Sequence, residues 1–145
     1  MTTHSMTHLG GCFCGAVEIE VTGDPVAMGY CHCDSCREWS AGPVNAFTLW
    51  PPTAIRVIKG AEQIAGYQKS ETSLRKWCKA CGGHLLTEHP LWGVTDVYAA
   101  VIPTLDFRPA LHVNYPSTVL RMKDGLPKQK DMPAEMGGSG VLVEE

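Results

Sequence analysis

Seven cysteines fall into three short clusters, and their spacing is typical of metal ligands. They are Cys12 and Cys14, Cys31, Cys33 and Cys36, and Cys78 and Cys81. The two outer pairs together can supply a four-thiolate site, and the central cluster can supply a three-thiolate site. A tetrahedral ion with four protein ligands is closed, whereas an ion with three keeps a position for water or substrate. The sequence therefore predicts zinc in two roles, one structural and one chemical.

Disulfide bonds are a poor explanation of these cysteines. Their number is odd, and the two members of a Cys-x-Cys pair are badly placed to bridge each other. Unligated buried thiols would not predict spacings of two and three with a glycine after the last cysteine. Tetrahedral thiolate suits both zinc and iron, so iron stays possible at the four-cysteine site, and zinc is the prediction.

The composition is that of a globular chain of 145 residues, with 44% hydrophobic and 19% charged residues. We expect one domain with one core. The longest apolar run, Val97 to Ile102, is too short to span a bilayer, and residues 1–6 lack the features of an export signal. These features predict a cytoplasmic protein. A net charge of −3 with scattered cations argues against nucleic acid as a partner.

Short runs of apolar residues, each bounded by turn residues, predict the strands that must position the cysteines. In residues 16–21, Val17, Ile19 and Val21 alternate with glutamates, which is typical of a half-buried strand. Further strands are predicted at 44–50, 54–58, 64–68, 85–88, 97–102 and 111–115. Only residues 34–40, within and after the central cluster, could form one or two helical turns. The pattern predicts a mainly β fold, a sandwich or open barrel of small antiparallel sheets.

The outer pairs have the features of zinc knuckles. Gly15 and Gly82 follow the second cysteine of each pair, where a positive φ lets the backbone N–H groups turn towards sulfur. One ion held by both pairs would close a loop of 63 residues, counted between Cys14 and Cys78, and would stabilise the fold as a long-range cross-link does. We predict a structural role for this site.

The central cluster is predicted to leave its ion open. A zinc with three thiolates is electron-rich, and it accepts another thiolate more readily than it generates hydroxide, which favours a thiol-bearing substrate. The alternative is a closed structural site completed by His32, His84 or a carboxylate. If the segment is extended, His32 points away from the cysteines on either side of it.

These motifs in this order resemble the glutathione-dependent formaldehyde-activating enzyme family, also called the centromere protein V family. The resemblance rests on Gly11-Cys-Phe-Cys-Gly-Ala-Val17, Cys31-His-Cys-x-x-Cys-Arg37 and Trp77-Cys-x-x-Cys-Gly-x-x-Leu85, and it extends over roughly residues 8 to 127. It implies an Mss4-like fold of several small antiparallel sheets, with one zinc at Cys12, Cys14, Cys78 and Cys81. It implies a second zinc at Cys31, Cys33 and Cys36.

The resemblance also implies an activity, that of a carbon–sulfur lyase interconverting glutathione plus formaldehyde with S-(hydroxymethyl)glutathione. The chain departs from the family pattern at Trp39, where small residues are commoner, and at Trp77, where phenylalanine is usual. Both changes enlarge the aromatic surface available to line a pocket. Members of the family differ in substrate, so another small thiol could replace glutathione.

Residues near the open site are candidates for substrate binding. Arg37 could hold a substrate carboxylate or be ion-paired on the surface, and Trp39 lies three residues from Cys36. Trp50, Trp77 and Trp92 are more typical of a core. The proton-transfer group cannot be identified among the remaining candidates, which are His84, His89, His112, Glu88 and Asp106.

We therefore predict a zinc-dependent carbon–sulfur lyase of small thiol–aldehyde adducts, with two Zn²⁺ and a thiol co-substrate. The alternatives are a zinc-stabilised module that carries thiols or binds proteins without turnover, and a chromatin-type interaction domain, which the acidic charge balance disfavours. We expect a flexible N-terminus over residues 1–7, the zinc-binding domain over 8–127 and a draped or mobile tail over 128–145. The sequence predicts neither membrane association nor an oligomeric state.

Overall fold

The computed structural model describes residues 6–145, which contain ten β-strands and one α-helix. The strands are β1 (Thr7–Gly11), β2 (Glu18–Thr22), β3 (Ala27–Cys31), β4 (Asn45–Trp50), β5 (Ile55–Lys59), β6 (Ile64–Ser70), β7 (Ser73–Cys78), β8 (His84–His89), β9 (Val94–Tyr98) and β10 (Leu111–Val113), and the helix is α1 (Asp34–Ser40). The mainly β prediction is confirmed, as is a helix over 34–40. The predicted N-terminal segment falls largely outside the described residues. Within 6–145, no helix is long and apolar enough to cross a membrane.

The contacts divide the chain into two compact units. The first unit comprises residues 6–26 and 48–106, and the second comprises residues 27–47 and 107–145. Strand β4 begins in the second unit and ends in the first. Each cysteine set therefore lies within a single unit, the four outer cysteines in the first and the three central cysteines in the second.

The first unit contains a three-stranded sheet and a four-stranded meander. In the sheet, β2 lies between β1 and β5 and pairs antiparallel with both. The meander runs from β6 to β9, and every neighbouring pair is antiparallel. Val17, Ile19 and Val21 are fully buried, as their alternation predicts, and pack in the hydrophobic core with Trp50 and Cys78. The four outer cysteines thus contact the core of this unit through Cys78, with Cys12 and Cys81 packed against it.

Glycine explains two strands that the sequence pattern does not reveal. A Cβ at Gly10 in β1 would lie 2.0 Å from the carbonyl oxygen of Val101, and a Cβ at Gly29 in β3 would lie 2.5 Å from that of Leu111. The chain needs glycine at both positions for close backbone approach, and glycine weakens the apolar pattern of a strand.

The predicted strand over 97–102 is wrong at its end, because β9 stops at Tyr98 and Ala99–Val101 form a 3₁₀ turn.

The second unit is built around one parallel strand pair. Strand β10 lies beside β3, with His112 opposite Tyr30 and Val113 opposite Cys31. This pair differs from the antiparallel arrangement predicted throughout, and the long stretch of chain between the strands allows the parallel return. The region predicted to be a tail folds back on itself, since the Val143 N–H donates to the Lys128 carbonyl over 2.8 Å and Lys130 N–H to Val141 over 2.8 Å.

Candidate metal centres

The four outer cysteines lie on two tight turns of the first unit. Gly15 and Gly82 have φ values of 81° and 75°, which confirms the positive φ expected after each second cysteine. The Gly15 N–H donates to the Cys12 carbonyl over 3.2 Å, and the Gly82 N–H donates to the Cys78 carbonyl over 2.7 Å. Both turns therefore bend the chain sharply just after β1 and just after β7, and each presents two sulfurs on one side.

The sulfur positions fit a tetrahedral zinc. All four Sγ atoms lie within 4.8 Å of one another. The Cys12–Cys14 and Cys14–Cys78 sulfur distances are 3.7 Å and 3.9 Å. Zn–S bonds of about 2.3 Å in a regular tetrahedron place the sulfurs roughly 3.8 Å apart. The donor set matches structural zinc in ligand number, ligand type and separation.

Backbone donors also prepare two of these sulfurs to carry negative charge. The Val17 N–H donates to Cys12 Sγ over 3.2 Å, and the Gly83 N–H donates to Cys81 Sγ over 3.3 Å. Burial opposes ionisation of Cys12, but the Val17 N–H and the neighbouring thiols outweigh it and lower its pKa to about 6. The Gly83 N–H lowers the pKa of Cys81 in the same way. These donors favour the thiolate, which is the form that binds metal.

The three central cysteines lie where β3 ends and α1 begins. Cys31 is the last residue of β3, Cys33 is the N-cap of α1, and Cys36 is in the first helical turn. The Cys36 N–H donates to Cys33 Sγ over 3.3 Å. The sulfur of Cys33 therefore caps the helix N-terminus, a position where serine or aspartate is more common. Asn114 Nδ2 donates to Cys31 Sγ over 3.5 Å. All three sulfurs lie within 4.8 Å of one another.

The three sulfurs oppose one another's ionisation, and a bound cation would relieve this opposition. Hydrogen bonding to Cys33 raises the pKa of Cys31 to about 11, and the neighbouring sulfurs of Cys31 and Cys33 raise the pKa of Cys36 still more strongly. Ionising one sulfur therefore opposes ionising the next, and a divalent ion would remove that opposition. Among residues 6–145, the group of potential ligands at this place contains the three cysteines and no histidine or carboxylate. A tetrahedral ion here would keep a fourth position for another ligand.

His32 lies between two of these cysteines and its ring has a different partner. Its Nε2 is 2.8 Å from Nδ1 of His112, and both rings are fully buried. Burial, together with the charges of His112 and Lys128, lowers the pKa of His32 to about 4. The structure therefore agrees with the expectation that His32 points away from the cysteines.

His112 in turn contacts residues that sequence reasoning did not assign to the site. Its Nε2 is 2.7 Å from Asp124 Oδ2, and Asp124 Oδ1 accepts from Lys128 Nζ over 2.5 Å. His112 is one of several histidine candidates from the sequence, whereas neither Asp124 nor Lys128 is a sequence-based candidate. No pattern in the sequence joins these residues, because their contacts form only when residues 124–128 dock against β10.

The two candidate substrate residues lie on α1. The Arg37 guanidinium turns back towards the start of the helix, where Nη2 is 2.6 Å from Asp34 Oδ1 and Nε donates to the His32 carbonyl over 3.2 Å. The ion pair expected as one alternative for Arg37 is thus formed, and a substrate carboxylate would compete with Asp34. Trp39 is half-buried, and α1 has no fully buried residue.

The remaining candidates lie in the first unit. Trp50 is fully buried and donates from Nε1 to Thr48 over 2.8 Å, as expected of a core residue, whereas Trp77 is half-buried. His89 Nδ1 donates to the Thr72 carbonyl over 2.6 Å, and its ring stacks on Trp92. Glu88 forms an ion pair with Lys76, and Asp106 is exposed. Burial lowers the pKa of His84.

A cavity of about 330 Å³ lies in the first unit. Apolar side chains such as Leu85 and Leu86 line it, with Lys76, Glu88 and His89 among its polar lining residues. Its lining, among the described part of the chain, includes no cysteine and no tryptophan. This cavity therefore does not provide the aromatic pocket that Trp77 was expected to help form.

Comparison with known proteins identifies relatives of the chain. The sequence profile of the glutathione-dependent formaldehyde-activating enzymes matches residues 7–131. A Schizosaccharomyces pombe protein named as an uncharacterized lyase is 30% identical over 73 residues, which are 50% of this chain and 51% of that protein. An Emericella nidulans protein, provisionally named a glutathione-dependent formaldehyde-activating enzyme, is 30% identical over 93 residues, which are 60% of this chain and 47% of that protein.

The chain spans about half the length of these two curated relatives. Among solved structures, a crystal structure of a Rhodobacter sphaeroides protein is similar, with a TM-score of 0.56 and 26% sequence identity. That similarity covers 70% of this chain and 91% of the other. The matched stretch of this chain, residues 7–131, contains all seven cysteines as well as His112 and Asp124.

Proposed function

The chain belongs to the glutathione-dependent formaldehyde-activating enzyme family, and we propose that it is a zinc-dependent carbon–sulfur lyase acting on small thiol–aldehyde adducts, such as S-(hydroxymethyl)glutathione. The observation that carries the proposal is the three-cysteine set, in which Cys31, Cys33 and Cys36 converge without a fourth protein ligand among the described residues. A closed site would need that fourth ligand. Zinc at Cys12, Cys14, Cys78 and Cys81 would stabilise the first unit.

The reaction needs no oxidant or reductant. In the forward direction the thiol sulfur adds to the carbonyl carbon, the C=O π bond breaks, and the thiol proton ends on the resulting hydroxyl. The lyase direction reverses each of these changes. A zinc ion with an open position can receive a soft sulfur or polarise a carbonyl oxygen, and either function lowers the cost of the charge that develops.

The chain's own residues would set the geometry around this ion. The Asn114 amide donates to Cys31 Sγ and the Cys36 N–H to Cys33 Sγ, so two of the three sulfurs already share their charge with a donor. Donors of this kind tune a metal site through its ligands. The thiolates would hold the ion, and these donors would fix the direction in which the open position faces.

We also propose that Arg37 and Trp39 bind the substrate. The Arg37 N–H donates to the Cys33 carbonyl over 3.1 Å, so this residue lies in the helical turn that follows the cysteine cap. Its side chain is about one-quarter exposed, whereas Asp34 is largely exposed. A surface ion pair of this type contributes at most about 1 kcal/mol, so a substrate carboxylate can displace Asp34 at small cost.

Exchange between free and adduct formaldehyde tests the proposal, because a lyase must accelerate this exchange above the rate that the thiol and the aldehyde show without protein. Saturation-transfer NMR on zinc-loaded protein measures the exchange rate with glutathione, cysteine and 2-mercaptoethanol in turn. We expect acceleration that Cys33→Ser abolishes and Asp131→Asn, a change outside the site, preserves. Thiol binding without acceleration for any of the three would instead favour the thiol-carrier alternative.

A further inference from the structure

A line of buried polar contacts connects the three-cysteine set to the last part of the chain. It runs from His32 to His112 over 2.8 Å and from His112 to Asp124 over 2.7 Å. Both histidines have zero exposure, and their rings are stacked with centroids 5.1 Å apart. His32 is the residue between Cys31 and Cys33. Any change in the orientation of its ring must therefore act on the segment that carries two of the three sulfurs.

When both rings are neutral, the hydrogen-bond inventory of this line fixes the direction of each contact. The Asp124 carboxylate can only accept, so Nε2 of His112 carries a hydrogen. In a neutral ring the other nitrogen, Nδ1, is then an acceptor, and it must receive the hydrogen on Nε2 of His32. Nδ1 of His32 is left without a hydrogen. This nitrogen is buried and has no hydrogen-bond partner among residues 6–145, and a bare acceptor there costs less than an N–H donor would.

Asp124 is itself held in place by the protein. Its Oδ1 accepts from the Leu126 N–H over 3.0 Å and from Lys128 Nζ over 2.5 Å, which leaves Oδ2 directed at His112. The Lys128 side chain has zero exposure and also donates to Glu145 Oε2 over 2.8 Å. A buried ammonium with two carboxylate partners is a rigid anchor, because moving either partner would remove one of the charge-assisted hydrogen bonds that offset the desolvation of the ammonium.

The orientation of His32 affects the cysteines on either side of it, because side chains alternate in direction along an extended chain. Its N–H donates to the Val113 carbonyl over 3.2 Å, and its own carbonyl accepts from Arg37. The chain at Cys33 is also extended, with φ −65° and ψ 155°. Successive side chains of an extended segment point to opposite sides. Fixing the ring of His32 on one side of the chain therefore directs the side chains of Cys31 and Cys33 to the opposite side.

We propose that Asp124 is a positioning residue for the three-cysteine site, acting through the tautomers and orientation of His112 and His32. The inference rests on the metal-binding part of the proposed function. In metal sites, groups that orient the ligands through hydrogen bonds typically alter metal affinity by about 10- to 100-fold when they are changed. Asp124 does not contact a cysteine itself and would act through the two stacked rings of His112 and His32.

Asp124→Asn is the sharpest variant, because it keeps the shape and changes only the donor pattern. Lys128 and the Leu126 N–H would hold the asparagine oxygen, so its NH₂ group would face His112. Nε2 of His112 would then have to accept, which inverts both tautomers and places a hydrogen on the buried Nδ1 of His32. Asp131→Asn is the matched control, because Asp131 is a carboxylate of the same region that bonds Ser139 over 2.8 Å.

Two measurements test the proposal. Competition with a chromophoric chelator measures zinc affinity at each site, and the four-cysteine site serves as an internal reference within the same molecule. We expect Asp124→Asn to weaken the three-cysteine site by about 10- to 100-fold relative to that reference, and Asp131→Asn to leave the ratio unchanged. Long-range ¹H–¹⁵N spectra should show hydrogen on Nε2 of both histidines in the parent and on Nδ1 in Asp124→Asn.

The outcomes separate this inference from the function on which it rests. A parent protein that binds no zinc at the three cysteines overturns the proposed function. A parent that binds zinc there, with an Asp124→Asn variant that binds it equally tightly, overturns the inference alone. Equal weakening of both zinc sites would also overturn it, since that pattern indicates general loss of structure. If the variant does not fold, Nδ1–H tautomers in the parent spectrum would suffice to reject the proposal.

Discussion

Replacing one cysteine in each set should have unequal effects on stability. Cys81→Ser removes a ligand from a set that joins Cys14 to Cys78, residues 64 positions apart. Treated as a cross-link closing a loop of that length, the ion contributes roughly 4 kcal/mol through the entropy of the unfolded chain. Cys78 is fully buried in the core of the first unit, so loosening this set also disturbs packing there.

Cys33→Ser should cost much less. The three central cysteines lie within six residues, for which the same relation gives at most about 2 kcal/mol. Serine also caps helices well, so its hydroxyl can replace the sulfur that accepts the Cys36 N–H. The helix should persist, and the loss should be confined to metal binding and activity.

Thermal unfolding followed by tryptophan fluorescence measures the difference. Of the four tryptophans, only Trp39 lies in the second unit, so a Trp39→Phe background makes the signal report on the first unit alone. A loss of roughly 4 kcal/mol corresponds to a fall in melting temperature of about 8–16 °C for a chain of this size. We expect that fall for Cys81→Ser and for the chelator-treated parent. Equal falls for Cys81→Ser and Cys33→Ser would refute the division into a structural and an open site.

Three further predictions follow from the geometry. Protein purified without chelator should contain two zinc ions per chain, and a chelator titration should remove the ion of the three-cysteine set first; a single uniform affinity would contradict this order. In cobalt-substituted protein, glutathione should strengthen the sulfur-to-metal charge-transfer absorption, because a site rich in soft sulfur accepts another readily; an unchanged spectrum with intact turnover would favour polarisation of the carbonyl oxygen instead. Gly60→Ala should destabilise the first unit by more than about 2 kcal/mol, because φ is 78° and the new Cβ would lie 2.0 Å from the Ala16 carbonyl oxygen. The matched control is Gly93→Ala, where φ is 66° and no atom lies within 4 Å of the new Cβ, and it should cost about 1 kcal/mol. Urea unfolding measures both free energies.

The parts of the site that the sequence predicts are those fixed by short-range geometry. Cysteines two or three residues apart can share an ion with little help from the rest of the chain, so the spacing alone indicates both sets. Gly15 and Gly82 follow from the turns that such spacing requires, and the structure confirms their positive φ. The helix over 34–40 is likewise local, since Cys33 caps it.

The parts that the sequence does not predict depend on contacts between distant segments. Strands β1 and β3 contain glycines whose purpose, close approach to Val101 and Leu111, is visible only in the folded chain. Lys128 is a still clearer case. Lysine is almost never fully buried unless it is paired, and its partners Asp124 and Glu145 lie in a segment without any periodic pattern.

The two cysteine sets differ in what surrounds them, and this difference supports their different roles. Cys78 packs among apolar side chains, where displacement of its sulfur would open a gap in the core. The central cysteines adjoin a helix with no fully buried residue, and a line of hydrogen-bonded side chains holds the chain beside them. A fully satisfied network of hydrogen bonds fixes the orientation of its groups, whereas apolar packing resists displacement because a displaced group leaves a cavity. A structural ion needs the resistance to displacement that apolar packing gives. An ion that must keep one position open towards a substrate needs ligands whose orientation is fixed by hydrogen bonds.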